Sequence, residues 1–445
     1  MDAPSPAPSS SLWRNARYVS WLVSDTAKGL AQALFAFAVP LLALMITDDP
    51  AQAGVIGATG MAVRVVLVML GGVLADRHSR IALMVIGSVL GVLIAGAFTV
   101  LSAAGALTFI VLLVLDVLLA ARSALFDVAG ESALKEVVPA PAMGRAQAAN
   151  QAREAVLQLG GGPLGGALLV VGGWLVGAVM AVCHGIAALT AALIPRLPAP
   201  ASSVSEPSLP IGTEGTEDAR EAPATRNAAR EIREGVVWLF SRVDLRGVLI
   251  VMTVVNLGIN AAMTTVVYGL QQDGHSPTVI GWLSAGIGGA MLVGALFSGA
   301  LVTRVGAGAL MGSGLLILTV GAAATALVTD ALPIALMLAV PGLLLPAINA
   351  SMMGYFMVAT PSAMLGRANS ATMLFGMGAT PLAPLIAGVG LATIGREATI
   401  LVSAGLCGIA AILALTNRSL RSLPAEAGWV AHAERFAIAT PSGVR

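Results

Sequence analysis

The sequence predicts an all-α polytopic membrane protein, with twelve transmembrane helices in two pseudo-symmetric bundles of six. Three observations predict it. Of 445 residues, 57% are hydrophobic and 11% are charged, against about 25% charged in an average soluble chain. Twelve apolar runs are each long enough to cross hydrocarbon, which takes roughly 20 residues as a helix. Two short motifs also recur in both halves at nearly one offset.

The composition excludes several classes. A mean hydropathy of +0.89 leaves too few charges to cover a soluble enzyme or a disordered scaffold. A net charge of +1 gives no basic field for nucleic acid. Cys183 and Cys407 lie in apolar runs, so neither a disulfide framework nor a cysteine metal site is expected. The 51 glycines fit close helix packing in lipid or a GC-rich genome, as does the scarcity of lysine, confined to Lys28 and Lys135.

In the first half the runs are 19–46, 53–75, 81–102, 106–134, 146–172 and 173–194; in the second they are 245–270, 278–301, 306–328, 331–358, 364–393 and 395–416. Barrel strands would be short and alternating; these runs are continuous, hence helical. Residues 1–18 are expected as a cytoplasmic segment without a cleavable signal. Residues 195–244 form a cytoplasmic linker, Pro/Ser/Glu/Thr-rich over 198–227. It is followed by Ile232, Val236, Leu239 and Val243 at helical spacing, which reads as an amphipathic interfacial helix or a cytosolic extension of the next span. Residues 417–445 read as a soluble cytoplasmic tail without recognisable chemistry.

Basic residues in short loops set orientation. Arg14, Arg17, Arg77, Arg80, Lys135, Arg145, Arg304, Arg367, Arg418 and Arg421 fall on one side, with Arg396 the exception. Both termini are therefore expected in the cytoplasm, and the membrane is expected to be a bacterial inner membrane.

The repeat pairs Gly72-Val-Leu-Ala-Asp-Arg77 with Gly299-Ala-Leu-Val-Thr-Arg304, and Pro139…Gly144-Arg145-Ala146 with Pro361…Gly366-Arg367-Ala368. Each pair sits in the same loop of its half. Six spans per half give parallel repeats about an axis along the membrane normal, with a substrate path between them.

Gly72-Val-Leu-Ala-Asp76-Arg77-His-Ser-Arg80 resembles the loop signature of the major facilitator superfamily, with Ser79 and Ile81 as departures. Gly162-Pro163-Leu-Gly-Gly166 resembles the Gly-Pro motif of its drug:proton antiporters. The stretch from Ala124 to Gly166 is similar to the branch of macrolide and siderophore exporters. The resemblance implies the major facilitator fold, a cavity lined by spans one, four, seven and ten, and export. On physical grounds, Gly72 permits close helix contact. Asp76, read at a helix start, favours the positive end of a neighbouring helix and pairs with Arg77 or Arg80, latching the cytoplasmic face. Pro163 removes a backbone hydrogen bond and kinks its helix, passively or as a gate.

Charge buried in hydrocarbon costs about 2.5–3.5 kcal/mol on insertion scales and needs a purpose or a partner. Polar stripes run along span one (Asp25, Lys28, Gln32), span four (Asp116, Ser123, Asp127, Glu131), span seven (Thr253, Asn256, Asn260, Thr264) and span eleven (Asn369, Thr372, Thr380). Every buried acid is expected in the first half. Asp25, Asp116, Asp127, Glu131 and Glu154 are the proton-coupling candidates, with Lys28, Arg64 and Arg122 as charge partners. Arg64 and Arg122 either neutralise acids or bind an anionic substrate. Gln32, Ser123, Asn256, Asn260, Thr264, Asn349, Asn369 and Thr372 are the substrate-cavity candidates. His184 reads as structural.

The expected function is export of a small, largely apolar molecule by proton antiport with alternating access. A proton-linked nutrient importer and a polytopic membrane enzyme are the alternatives. No Gly-x-x-x-x-Gly-Lys-Ser/Thr stretch occurs, so no nucleotide, cofactor or metal is expected. The expected partners are the cargo, protons and lipid, and the chain is expected to be a monomer without nucleic acid.

Overall fold

The computed structural model describes residues 12–138, 142–194 and 228–436. The 198–227 linker, Pro139 and the end of the tail lie outside the described residues, as do the side chains of Asp76 and Lys135.

Six helices build the first bundle: α1 (Ala16–Thr47), α2 (Pro50–Arg77), α3 (Arg80–Ala103), α4 (Phe109–Val137), α5 (Met143–Val171) and α6 (Gly173–Ala192). After α7 (Ala228–Ser241), the second bundle comprises α8 (Val243–Gln272), α9 (Pro277–Arg304), α10 (Ala307–Ala324), α11 (Ala331–Gly342), α12 (Leu345–Ala359), α13 (Ser362–Gly378), α14 (Leu382–Thr393) and α15 (Gly395–Thr416). The tail adds α16 (Arg418–Arg421) and α17 (Trp429–Arg435). Twelve helical stretches are long and apolar enough to cross a membrane.

Local chemistry sets the turns. Asn15 caps α1 by accepting from the amides of Arg17 and Tyr18. Asp48 ends α1 in the left-handed region, and Asp49 caps α2 ahead of Pro50 at its first turn. Gly172, at φ 149°, joins α5 to α6 in a conformation that glycine tolerates. Spans ten and eleven are each broken. The first breaks between α11 and α12, where Pro341 and Pro346 flank the gap; the second breaks between α13 and α14 at Pro381. Proline lacks the N–H an unbroken helix needs.

One end of the molecule carries Arg77, Arg80, Arg304, Arg367 and Arg418 and is called the basic end; the loops at Asp48, Gly172, Gly274 and Gly395 mark the far end. The bundles meet through α5 against α9 and α2 against α14. These contacts are backbone-close toward the far end. A Cβ on Gly54 would collide with the Pro384 carbonyl, one on Gly166 with the Pro277 carbonyl, and one on Gly162 would stand 2.9 Å from the Gly281 oxygen. Gln271 donates to the Leu41 carbonyl at 2.8 Å across the same seam. Toward the basic end, a Cβ on Gly72, five turns along the same face of α2 from Gly54, would meet nothing within 4 Å.

Gly54→Leu therefore forces the far-end seam apart. Spin labels at exposed positions 48 and 393 should move apart in the variant; an unchanged distance would show that the seam does not depend on Gly54. Both native cysteines are buried and do not compete for label.

Three expectations need correction. Gly72 makes no close contact; the neighbouring Gly71 does, because a Cβ there would strike the Ala124 carbonyl, and one residue turns the helix face by about 100°. Asp76 sits in the last turn of α2, not at a helix start; its expected pairing with Arg77 or Arg80 lies outside the described side chains, and Arg80 meets Glu136 at 3.2 Å. The helix before span seven, α7, is separated from α8 by extended backbone at Arg242 and packs on α13, with Glu234 bonded to Arg367 at 2.9 Å. It is a separate helix and not an extension of the span. The tail beyond α15 is structured. It docks on the second bundle, burying Trp429 and His432, and Pro424 and Leu423 accept from the amides of Ala307 and Gly308.

Candidate functional site

Two adjoining cavities lie in the first bundle. The inner one, about 140 Å³, is lined by α1, α2, α4 and α6; the outer one, about 400 Å³ and nearer the basic end, is lined by α1, α4 and α5. Gln32 borders both.

The outer cavity is built around a chain of ions. Arg153 contacts Asp25 at 2.6 Å, Asp25 contacts Lys28 at 2.8 Å, Lys28 reaches Asp127 at 3.8 Å, and Asp127 meets Arg122 at 3.3 Å. The 3-residue spacing of Asp25 and Lys28 places both on one face of α1. Gly130 on α4 leaves the room they occupy, since a Cβ there would lie 2.7 Å from each. Arg153 also stacks over Trp21 at 5.7 Å. Ser123 donates to Asp127 at 2.6 Å. Glu154 lies at the rim, bonded to Asn150 and 3.6 Å from Arg153, and exposed Glu131 borders the same space. Asp25 and Asp127 are thus each compensated by two cations. Arg153 is a functional candidate that sequence reasoning missed.

The inner cavity differs. Its walls are largely apolar, from Phe35, Val39, Met61, Leu119 and Met180. Asp116 projects into it at 5% exposure, with no cation in contact and its Oδ2 without a hydrogen-bond partner. Among the described residues it is the one buried acid without an ion pair. Gly60 on α2 makes its space; a Cβ there would collide with the carboxylate. One turn away, the buried hydroxyl of Tyr268 from the second bundle stands 4.0 Å from the Cβ position of Gly57, also without a partner. His184 lines this cavity with its Nδ1 unpartnered.

The second-bundle candidates do not join these cavities. Asn256 donates to the Gly376 carbonyl at 3.4 Å and Asn260 to the Asn256 carbonyl at 2.8 Å. Thr372 bonds its own helix and borders a separate pocket of about 30 Å³. Asn349 is exposed, and Thr264 and Asn369 are half-buried. The reading that every buried acid lies in the first half also fails. Asp244, fully buried, is held by Arg242 at 2.7 Å and accepts from Tyr355 at 2.6 Å. Among the described residues no group of three or more His, Cys, Asp or Glu could hold a metal ion.

The comparisons agree with this architecture. The family model described as Major Facilitator Superfamily matches residues 26–251 and again 248–438. No curated protein matches the chain. Among solved structures, a bacterial homologue of the iron transporter ferroportin in an inward-facing state superposes with a TM-score of 0.69 at 16% identity, covering 91% of this chain and 98% of that one. A bacterial homologue of the human lysosomal transporter Spinster, inward-facing and unoccupied, gives 0.64 at 14% identity over 95% and 98% of the two chains. A D-xylose–proton symporter gives 0.64 at 16% over 94% and 99%. At these identities the likeness shows the fold alone. Twelve spans, parallel halves and a family match across nearly the whole chain make this a transporter and not an enzyme: it belongs to the Major Facilitator Superfamily.

Proposed function

We propose that this chain exports a small, largely apolar molecule across a bacterial cytoplasmic membrane in exchange for protons. Asp116 is the proton-exchanging acid, and the basic end and both termini lie in the cytoplasm. The observation that carries this reading is the contrast between acids. Asp25 and Asp127 each contact two cations, whereas Asp116 meets a largely apolar wall with no cation in contact. An acid in such a place loads and releases a proton according to which side of the membrane its cavity meets. The backbone-close far-end seam supports a state open toward the basic end, and the clustering of arginines there supports its cytoplasmic placement. Gly162 and Gly166, the Gly-Pro motif, form part of that seam, where changes of access must be transmitted between bundles.

The test uses the full chain in proteoliposomes holding an imposed proton gradient. A growth screen, with and without the gene, supplies the compounds. Each transported compound should move opposite to the protons and discharge the gradient. Movement in the same direction as the protons would overturn antiport.

A further inference from the structure

The inner cavity contains a charge that the ion chain does not use. Arg64 enters from α2, and no acid lies within ion-pair distance of it among the described residues. Its Nη2 donates to Ser123 Oγ at 3.1 Å. Because Ser123 gives its own hydrogen to Asp127, its lone pair is turned toward Arg64. With its amide oriented to satisfy both side chains, Gln32 accepts from Nη1 at 3.3 Å and from Nη2. A guanidinium carries five N–H donors. These contacts use three, leaving Nε and one Nη1 hydrogen without a protein acceptor. Arg122, the other guanidinium on this cavity, is already committed to Asp127.

We propose that Arg64 is the anchor for an anionic group on the cargo, so that the inner cavity takes a compound combining one carboxylate with a ring-sized apolar body. This rests on the reading of that cavity as the cargo site. Arg64 is exposed, and a guanidinium with spare donors beside an apolar wall matches a carboxylate in charge and fork geometry. An amine would be repelled, and a neutral apolar molecule would gain nothing from the free donors. A cavity of about 140 Å³ is the size that accepts one benzene ring, and Phe35, Met61, Leu119 and Met180 supply the apolar contact. Asp116 does not occupy the anchor, because it lies seven residues before Ser123 on α4, about 10 Å along the helix axis. Cargo anion and exchanged proton therefore have separate seats. An anion leaving as a proton enters moves two charges in one sense, so membrane potential and pH gradient drive the exchange together.

The test is equilibrium binding of radiolabelled benzoate and of neutral benzamide to the purified full chain in detergent near neutral pH. The parent should bind benzoate about tenfold or more tightly than benzamide, as one charge-assisted contact provides. In Arg64→Gln, benzoate should fall to the benzamide level while benzamide is unchanged, and Arg64→Lys should recover part of the difference. Equal affinities in the parent, undiminished benzoate binding by Arg64→Gln, or no saturable benzoate binding would each overturn the proposal. The parent comparison needs no variant to fold. Binding needs no gradient: benzoate bound but never exchanged for protons would retire the antiport reading and leave the anion site standing.

Discussion

Asp116→Asn should leave proteoliposomes unable to concentrate cargo against its gradient, while cargo binding stays within a few-fold of the parent. One proton crossing 100 mV is worth about 2.3 kcal/mol. A one-for-one exchanger can therefore hold a neutral cargo at a ratio of roughly 50-fold at that driving force. The variant should relax to a ratio near one and should lose its dependence on pH. Asparagine keeps the shape beside Gly60 and breaks no ion pair, because Asp116 has none. Asp25→Asn provides the contrast. It strips the shared acid from Lys28 and Arg153, which sit 2.8 and 2.6 Å away, so its first effect should be lost stability. Cargo accumulation by Asp116→Asn equal to the parent's at every pH would remove Asp116 from the mechanism.

The transmembrane spans were legible because hydrocarbon demands long apolar helices, and twelve such runs leave a plain trace. The breaks in spans ten and eleven were not, because Pro341, Pro346 and Pro381 lie in sequence as apolar as the helices they interrupt. Polar stripes identified Asp25, Lys28 and Asp127, since helical spacing dictates which residues share a face; Arg122 stands out only as a charge in an apolar run. Spacing along one helix says nothing about partners on another, so the sequence does not mark Arg153, whose partner Asp25 comes from α1. The same limit hid the difference between Asp127 and Asp116. Both lie on the stripe of span four, but only packing shows that one meets cations and the other an apolar wall. Asp244 was missed for a geometric reason. Residues i and i+2 do not face each other on a helix, and its pair with Arg242 forms only because Arg242 is extended just before α8 begins. The tail helix is seven residues long and too short to leave a periodic signal.

Asp244→Ala should destabilise the second bundle by about 3–5 kcal/mol, the usual effect of stripping one partner from a buried ion pair. Arg242 and Asp244 are 4% and 0% exposed and bonded twice, Nε to Oδ1 at 3.0 Å and Nη2 to Oδ2 at 2.7 Å. Tyr355 of α12 donates to the same carboxylate. Arg242 also donates to the carbonyls of Ala359 and Ala433, tying α12 and the tail helix α17 to the start of α8. Without Asp244 the guanidinium is buried with only carbonyls to meet, and Tyr355 loses its acceptor. Because Cys183 and Cys407 are both buried, a thiol-reactive fluorophore reports unfolding directly: its transition should move to lower temperature in Asp244→Ala and less so in Asp244→Asn, which keeps one oxygen for Tyr355. The joint should also weaken in acid. His432 of α17 packs edge-on against Tyr355 at 5.7 Å. Burial holds its imidazole below its ordinary value and Arg435 acts in the same sense, while Asp244 opposes both. A depressed histidine contributes its full share above the unfolded value of about 6.5, and that share is lost as the pH falls through the lower folded value. The transition temperature should therefore decline on acidification, and His432→Gln should flatten that decline; an equally steep fall in the variant would place the acid sensitivity elsewhere in the chain.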